Sequence, residues 1–235
     1  MSADPTPGLQ WLGAFCLLST ILLYFAGKRL YARFPRIWLM PLVSVPLVLV
    51  VALLLTHVPY AVYLSDTRWL LWLLGPTTIA FALPIHEYRG VIRRHWLSLS
   101  LGVSVGIVSG VAGSFFLAKL LHLPPALQRA MAIRSVSTPF ALAMSGPVGA
   151  APDVVAILVI ITGLVGMLIG KGLLVWLPMR TGIARGALFG AGAHGVGTAT
   201  ARSLGSEEGM IASLTMTIAG VVVVIAAPLI GWLLR

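Results

Sequence analysis

Acidic residues are scarce. Of 235 residues only 6 are Asp or Glu, against 16 Lys or Arg, and charged residues of every kind make up 9% of the chain. A soluble domain carries about 25%, so a water-soluble globular fold is excluded. Disorder is excluded as well, because disordered chains are poor in hydrophobic residues and this one is 59% apolar. Cysteine is nearly absent. Cys16 alone rules out a disulfide scaffold and reads as a small packing residue. The 5 histidines are scattered, so no metal site is indicated. The glycine-rich run 190–197 lacks a Lys-Ser/Thr pair and a preceding strand, so it is no phosphate loop. No nucleophile triad can be argued, which leaves an enzyme and a bound cofactor unsupported. No soluble region is large enough to hold a nucleic acid.

What is present is apolar segments. Eight are read, over 9–26, 37–56, 69–85, 96–121, 130–149, 154–177, 186–204 and 210–234. A spanning helix needs about 20 mostly apolar residues, so the fold class is an all-α polytopic membrane protein, a single integral domain over 1–235. The first twelve residues hold Asp4 and no base, so the first run is expected to stay as a helix rather than serve as a secretory signal.

Three segments are unusual. The 69–85 stretch is interrupted by Gly75-Pro76. The 130–149 stretch contains Arg134, Pro139 and Gly146-Pro147. The 186–204 stretch is rich in Gly, Ala and Thr and holds His194 and Arg202. Pro and repeated Gly free backbone polar groups, which cannot face lipid and must be buried in protein or line a watery cavity. Broken segments of this kind build the substrate sites of many transporters.

The bases set the orientation. Lys28, Arg29, Arg33 and Arg36 mark a cytoplasmic loop, which puts the N-terminus on the periplasmic side and the loop around Asp66 and Arg68 outside. Arg89, Arg93 and Arg94 then fall inside. Lys171, Arg180 and Arg185 also fall inside if 130–149 is re-entrant from the outer face, and outside if it crosses. The re-entrant reading fits the positive-inside rule better. It gives seven full crossings and a C-terminus inside.

Gly75-Pro76-Thr77-Thr78-Ile79-Ala80, Ser137-Thr138-Pro139-Phe140-Ala141 and Gly195-Val196-Gly197-Thr198-Ala199-Thr200-Ala201 each lead through a polar corner into a Gly-containing span. This suggests repeat halves over 69–121 and 186–234 around a central broken segment, 130–149, in inverted orientation. The alternative is that small residues are simply favoured at helix contacts.

The run Arg134-Ser135-Val136-Ser137-Thr138-Pro139-Phe140-Ala141 resembles the Lys/Arg-Ser-Val-Thr-Thr-Pro-Ile-Ala motif of the LrgB/CidB (YohK-type) family. Ile183-Ala184-Arg185-Gly186, followed by Ala193-His194-Gly195-Val196-Gly197-Thr198-Ala199, is similar to its Ala-Arg-Gly … Ser-His-Ala-Ile-Gly-Thr-Ala motif. Glu207-Glu208-Gly209 and Leu74-Gly75-Pro76-Thr77-Thr78 fit as well. Ser137, Phe140 and Ala193 depart from the motifs, and Ala193 removes a hydroxyl beside the histidine. The resemblance implies one of two functions in a bacterial cytoplasmic (inner) membrane. One is transport of small monocarboxylates such as glycolate, glycerate, pyruvate or lactate, as in the plastid glycolate/glycerate translocators. The other is antiholin-like regulation of murein hydrolase export and autolysis with a small LrgA/CidA-type membrane partner. A homo-oligomer is compatible with either.

The residues themselves lean towards transport. Ionisable groups inside membrane segments are usually functional, and a guanidinium fork matches a carboxylate. Arg134 is therefore the candidate anion ligand, with Ser135, Ser137 and Thr138 adding hydroxyls; the alternative is that Arg134 snorkels to the interface. His194 either meets the solute or fixes a bend by bonding a backbone carbonyl. Thr198, Thr77 and Thr78 either face solute or bond their own helix. Glu207 and Glu208 suit a helix N-terminus.

Overall fold

The computed structural model describes residues 7–80 and 82–234, and every described element is helical. The protein is an all-α polytopic membrane protein. Among the described residues four helices are long and apolar enough to cross a bilayer, over Trp11–Arg33, Trp96–Leu120, Pro152–Trp176 and Ser206–Ile225; Pro41–Thr56 is apolar but shorter. The chain forms two compact units, Met1–Pro76 and Thr77–Arg235.

The first unit contains α1 (Pro7–Arg33), a 3-10 turn (Ile37–Leu39), α2 (Pro41–Thr56) and α3 (Tyr60–Trp72). Lys28, Arg29 and Arg33 lie within the last turns of α1 rather than in a loop, where cations complement the helix dipole. Pro41 opens α2 with its φ already helical, and His57 closes it at φ 53. Asp66 and Arg68 are not in a loop, as the sequence suggested, but in α3. The aromatic and aliphatic residues around them carry the helix through. Gly13 of α1 makes the room, since a Cβ there would fall on the Asp66 carboxylate.

The break in 69–85 separates α3 from two short helices, α4 (Leu74–Ala80) and α5 (Ala82–Glu87). In the second unit, α6 (Arg89–Arg94) and α7 (Trp96–Leu120) follow. The rest of the chain forms α8 (Pro125–Ile133), α9 (Thr138–Val148), α10 (Pro152–Trp176), α11 (Gly182–Leu204), α12 (Ser206–Ile225) and α13 (Ala227–Leu233).

Helices α8 and α9 form a hairpin. In a continuous helix the ring of Pro139 would clash with the carbonyl of Ser135. The chain instead breaks over 134–137, with Ser137 extended (φ −67, ψ 152), and restarts with the proline in the first turn of α9. Gly149 closes α9 at φ 71, in the left-handed region glycine tolerates. The Arg129 Nε–H donates to the Gly149 carbonyl at 3.2 Å, so the second arm returns to the level of the first. With 9 and 11 residues the arms are roughly 14 and 17 Å long at 1.5 Å per residue, about half of a ~30 Å hydrocarbon core. The 130–149 stretch thus holds the end of the first arm, the tip and the second arm of a folded-back hairpin.

Helix α11 is a second hairpin, which the sequence did not suggest. His194 has φ 47, ψ −126, outside helical space, between two helical arms over 182–193 and 195–204. A Cβ on Gly197 would fall on the Phe189 carbonyl oxygen. Eight residues apart in one helix, those positions would be separated by about 12 Å. Contacts along α12 confirm the reversal. A Cβ on Gly186 would meet Glu208 and Ile211 and one on Gly190 would meet Ala212, whereas Gly209 lies against Arg202. The first arm therefore runs parallel to α12 and the second antiparallel. The expected full crossing over 186–204 is replaced by an excursion that returns to its own end. The cause is local: Gly192, Gly195 and Gly197 surround His194, and each Gly weakens a helix by about 1 kcal/mol relative to Ala.

The two hairpins enter from opposite ends of α10. The first reaches Thr162 through Arg134. The second passes Gly170 at Phe189 and arrives at Gly163 with Ala193 and Val196. Their tips meet at the middle of α10. Helix α12 is the buried axis of the unit, while α7 and α10 are mostly exposed. A core of Ile133, Met144, Val155, Val223 and Ile230 joins the first hairpin to α10, α12 and α13.

Candidate functional site

A cavity of about 880 Å³ lies where the hairpin tips converge. One wall is a face of α7 carrying Ser98, Gly102, Gly106, Gly110, Gly113 and Ser114. Their three- and four-residue spacing keeps them on one side of the helix, and their small side chains leave the space open. The opposite wall is the first arm of α11, from Thr181 to Gly192. Arg134, Ser135, Thr162, His194 and Thr215 line the inner end.

Arg134 follows directly on α8, at the tip of the first hairpin. Its Nη1–H donates to Thr162 Oγ1 at 2.6 Å and its Nη2–H to Ser114 Oγ at 3.1 Å. The Thr162 hydroxyl spends its own proton on the Leu158 carbonyl at 2.7 Å, so towards Arg134 it acts as acceptor only. The Nε–H is buried without a hydrogen-bond partner among the described residues. The ion pair found among those residues joins Arg185 and Glu208 at 3.5 Å, at the base of the second hairpin. Arg134 is therefore a cation held inside the protein by two neutral hydroxyls. It does not snorkel.

His194 is 4% exposed. Its imidazole lies against the Ser135 backbone, within electrostatic reach of Arg134, and neither ring nitrogen closes a well-formed hydrogen bond among the described residues. A non-glycine residue at positive φ in this region costs about 1–3 kcal/mol and persists where the surroundings impose it. The surroundings are tight. A Cβ on Gly166 of α10 would fall on the Gly192 carbonyl, and one on Gly110 of α7 would come within 2.8 Å of Ser135.

The structure thus brings together Arg134, Ser135 and His194. Ser137 is buried, its hydroxyl without a hydrogen-bond partner among the described residues, and neither it nor Thr138 lines the cavity. Thr198 also stands outside it and donates to the His194 carbonyl at 2.9 Å, the commoner use of a helical threonine. The side chains of Thr77 and Thr78 lie outside the described residues. Sequence reading missed Ser114 and Thr162. For Ser114 the signal was present, in the Gly/Ser spacing of 98–114. Thr162 sits in an ordinary apolar span and gave none.

The LrgB-like family model matches residues 20–233. Over 219 residues the chain is 38% identical to the uncharacterized protein YwbG of Bacillus subtilis (strain 168), covering 93% of this chain and 97% of that one. It is 30% identical over 217 residues to the uncharacterized protein YxaC of the same organism, covering 92% and 94%. No solved structure matches. The chain belongs to the LrgB-like family.

Proposed function

We infer that this LrgB-like membrane protein is a carrier of small monocarboxylates of the glycolate, glycerate, pyruvate and lactate type, in a bacterial inner membrane. One observation carries the reading. Arg134 lies half-buried, with its Nε enclosed, at the meeting point of two opposed hairpins that line a cavity, with only neutral hydroxyls as partners among the described residues. A charge withdrawn from water is normally paired, and a small carboxylate would supply the missing partner. His194 and Ser135 are placed to meet the remainder of the solute. Each hairpin is followed by a long span, α10 or α12, and the two pairs run in opposite directions. That is the inverted plan on which alternating access is commonly built.

The bases orient the second unit. Arg89, Arg93 and Arg94 before α7 and Arg180, Arg185 and Arg202 at the base of the second hairpin share one end, the cytoplasmic one by the positive-inside rule. The cavity runs from that end, at Ser98 and Thr181, to Arg134. Because α11 turns back, α12 leads outward and α13 lies on the outer side with Pro147, whose carbonyl faces Gly231. The sequence reading instead put the C-terminus inside.

Uptake of labelled glycolate, pyruvate and lactate into proteoliposomes holding the lone chain tests the reading. Saturable uptake that Arg134→Gln abolishes is the expected result. Folded protein without flux, alone and with a small LrgA/CidA-type partner, would refute it in favour of the regulatory role.

A further inference from the structure

The two hydroxyls on Arg134 are not equivalent. Thr162 is fixed: its proton is committed to Leu158, its bond to Nη1 is 2.6 Å, and it stands at the middle of α10 where both hairpins pack. Ser114 is at 3.1 Å on Nη2. It belongs to α7, whose inner face is open to the cavity at Gly102 and Gly113 and packed against Ser135 at Gly110. The guanidinium has two edges that can take a carboxylate through paired N–H groups. Thr162 already engages Nη1 of the Nη1/Nη2 edge. On the other edge Nε and Nη2 point the same way, Nε has no partner among the described residues, and Ser114 is the described partner of Nη2.

We propose that Ser114 is a stand-in ligand, occupying Nη2 of Arg134 until a solute carboxylate displaces it and takes the Nε/Nη2 edge, while Thr162 holds the guanidinium in place throughout. Thr162 is thus a positioning residue and Ser114 a competitor for the same donor. The displacement removes one contact between α7 and the first hairpin and leaves the packing of Gly110 on Ser135, so anion binding is coupled to that side of the cavity. The proposal rests on the carrier reading and gives it a binding geometry.

The consequence is a pair of opposite effects from two hydroxyl deletions. Removing Ser114 frees a donor in the empty site, and removing Thr162 unfixes the guanidinium. Hydrogen bonds to charged groups are worth enough that Ser114→Ala is expected to lower the half-saturation for labelled glycolate about three- to tenfold, and Thr162→Val to raise it about ten- to hundredfold. Thr162→Ser, which keeps the acceptor, restores near wild-type affinity, and Ser114→Thr, which keeps the competitor, removes the gain. A structural role for both hydroxyls would weaken uptake in both deletions. If wild-type uptake saturates while Ser114→Ala is unchanged or weaker, the stand-in role is overturned and the carrier reading survives. If folded wild-type protein shows no saturable uptake, alone and with the small LrgA/CidA-type partner, the carrier reading fails.

Discussion

Replacing Gly197 by Ala separates the hairpin from the single crossing that the sequence suggests. In one membrane-spanning helix over 186–204, Gly197 and Phe189 would be two turns apart, and Ala would favour the helix by up to about 1 kcal/mol. In the hairpin, the new methyl meets the Phe189 carbonyl oxygen and the Ala193 Cβ, the latter at 2.8 Å. Neither is the flexible end of a long side chain, so the arms must separate. Overpacking of this kind costs about 1–3 kcal/mol. For a chain of this size the melting point moves by roughly 2–4 °C per kcal/mol, a drop large enough to resolve by thermal shift in detergent. Gly195→Ala is the matched control, since a Cβ there has nothing within 4 Å. The expected pattern is a lower melting point for Gly197→Ala and an unchanged or higher one for Gly195→Ala. A Gly197→Ala protein as stable as the control would refute the folded-back geometry.

Other predictions address the site and the topology. His194→Gly should raise the melting point, because glycine accepts φ 47 and relieves about 1 kcal/mol or more of backbone strain, while it impairs saturable uptake by removing the imidazole; lower stability would show that imidazole packing outweighs the strain. Arg134→Lys, which keeps the charge but loses the planar fork, should retain weak uptake that Arg134→Gln lacks, and equal uptake in wild type and Arg134→Lys would argue against paired N–H recognition. In a Cys16→Ser background, Thr181→Cys and Ser206→Cys should react with an impermeant thiol reagent from one side of the membrane and Ala151→Cys from the other. Labelling of 181 and 206 from opposite sides would restore the crossing over 186–204.

The parts legible in the sequence were those where a local rule decides. Pro139 disfavours a continuous helix through Ser135, so a break in this segment was legible, but Arg134 was read at its entrance, and its place at a tip depends on where α8 begins and ends. The flanking bases favoured a 130–149 segment that turns back without deciding it. His194 was recognisable as a break for its glycines, but glycine loosens a helix without saying by how much it bends. The return of α11 on itself depends on contacts of Gly186, Gly190 and Gly197 with partners distant in the chain or across the turn. Thr162 was illegible for a similar reason. Its oxygen satisfies its own helix, as any threonine in an apolar span does, and only the arrival of Arg134 from another element gives it a second role. Asp66 failed in the opposite direction. A charged residue between apolar runs suggested a loop, while its room in α3 is made by Gly13 some fifty positions away.

Two sets of glycines in the second unit bear on how the site works. Gly166, Gly186, Gly190 and Gly197 bring backbone against backbone, each with a carbonyl where a Cβ would stand. They bind α10, α11 and α12 into a close-packed block that cannot shift by small side-chain adjustments. Gly102 and Gly113 of α7 face open space. These two line the cavity, while Gly110 of the same helix packs against the first hairpin, where a Cβ would come within 2.8 Å of Ser135. Arg134 reaches the close-packed block through Thr162 and α7 through Ser114. A solute that replaces the Ser114 bond changes the contact with α7 and leaves the block intact.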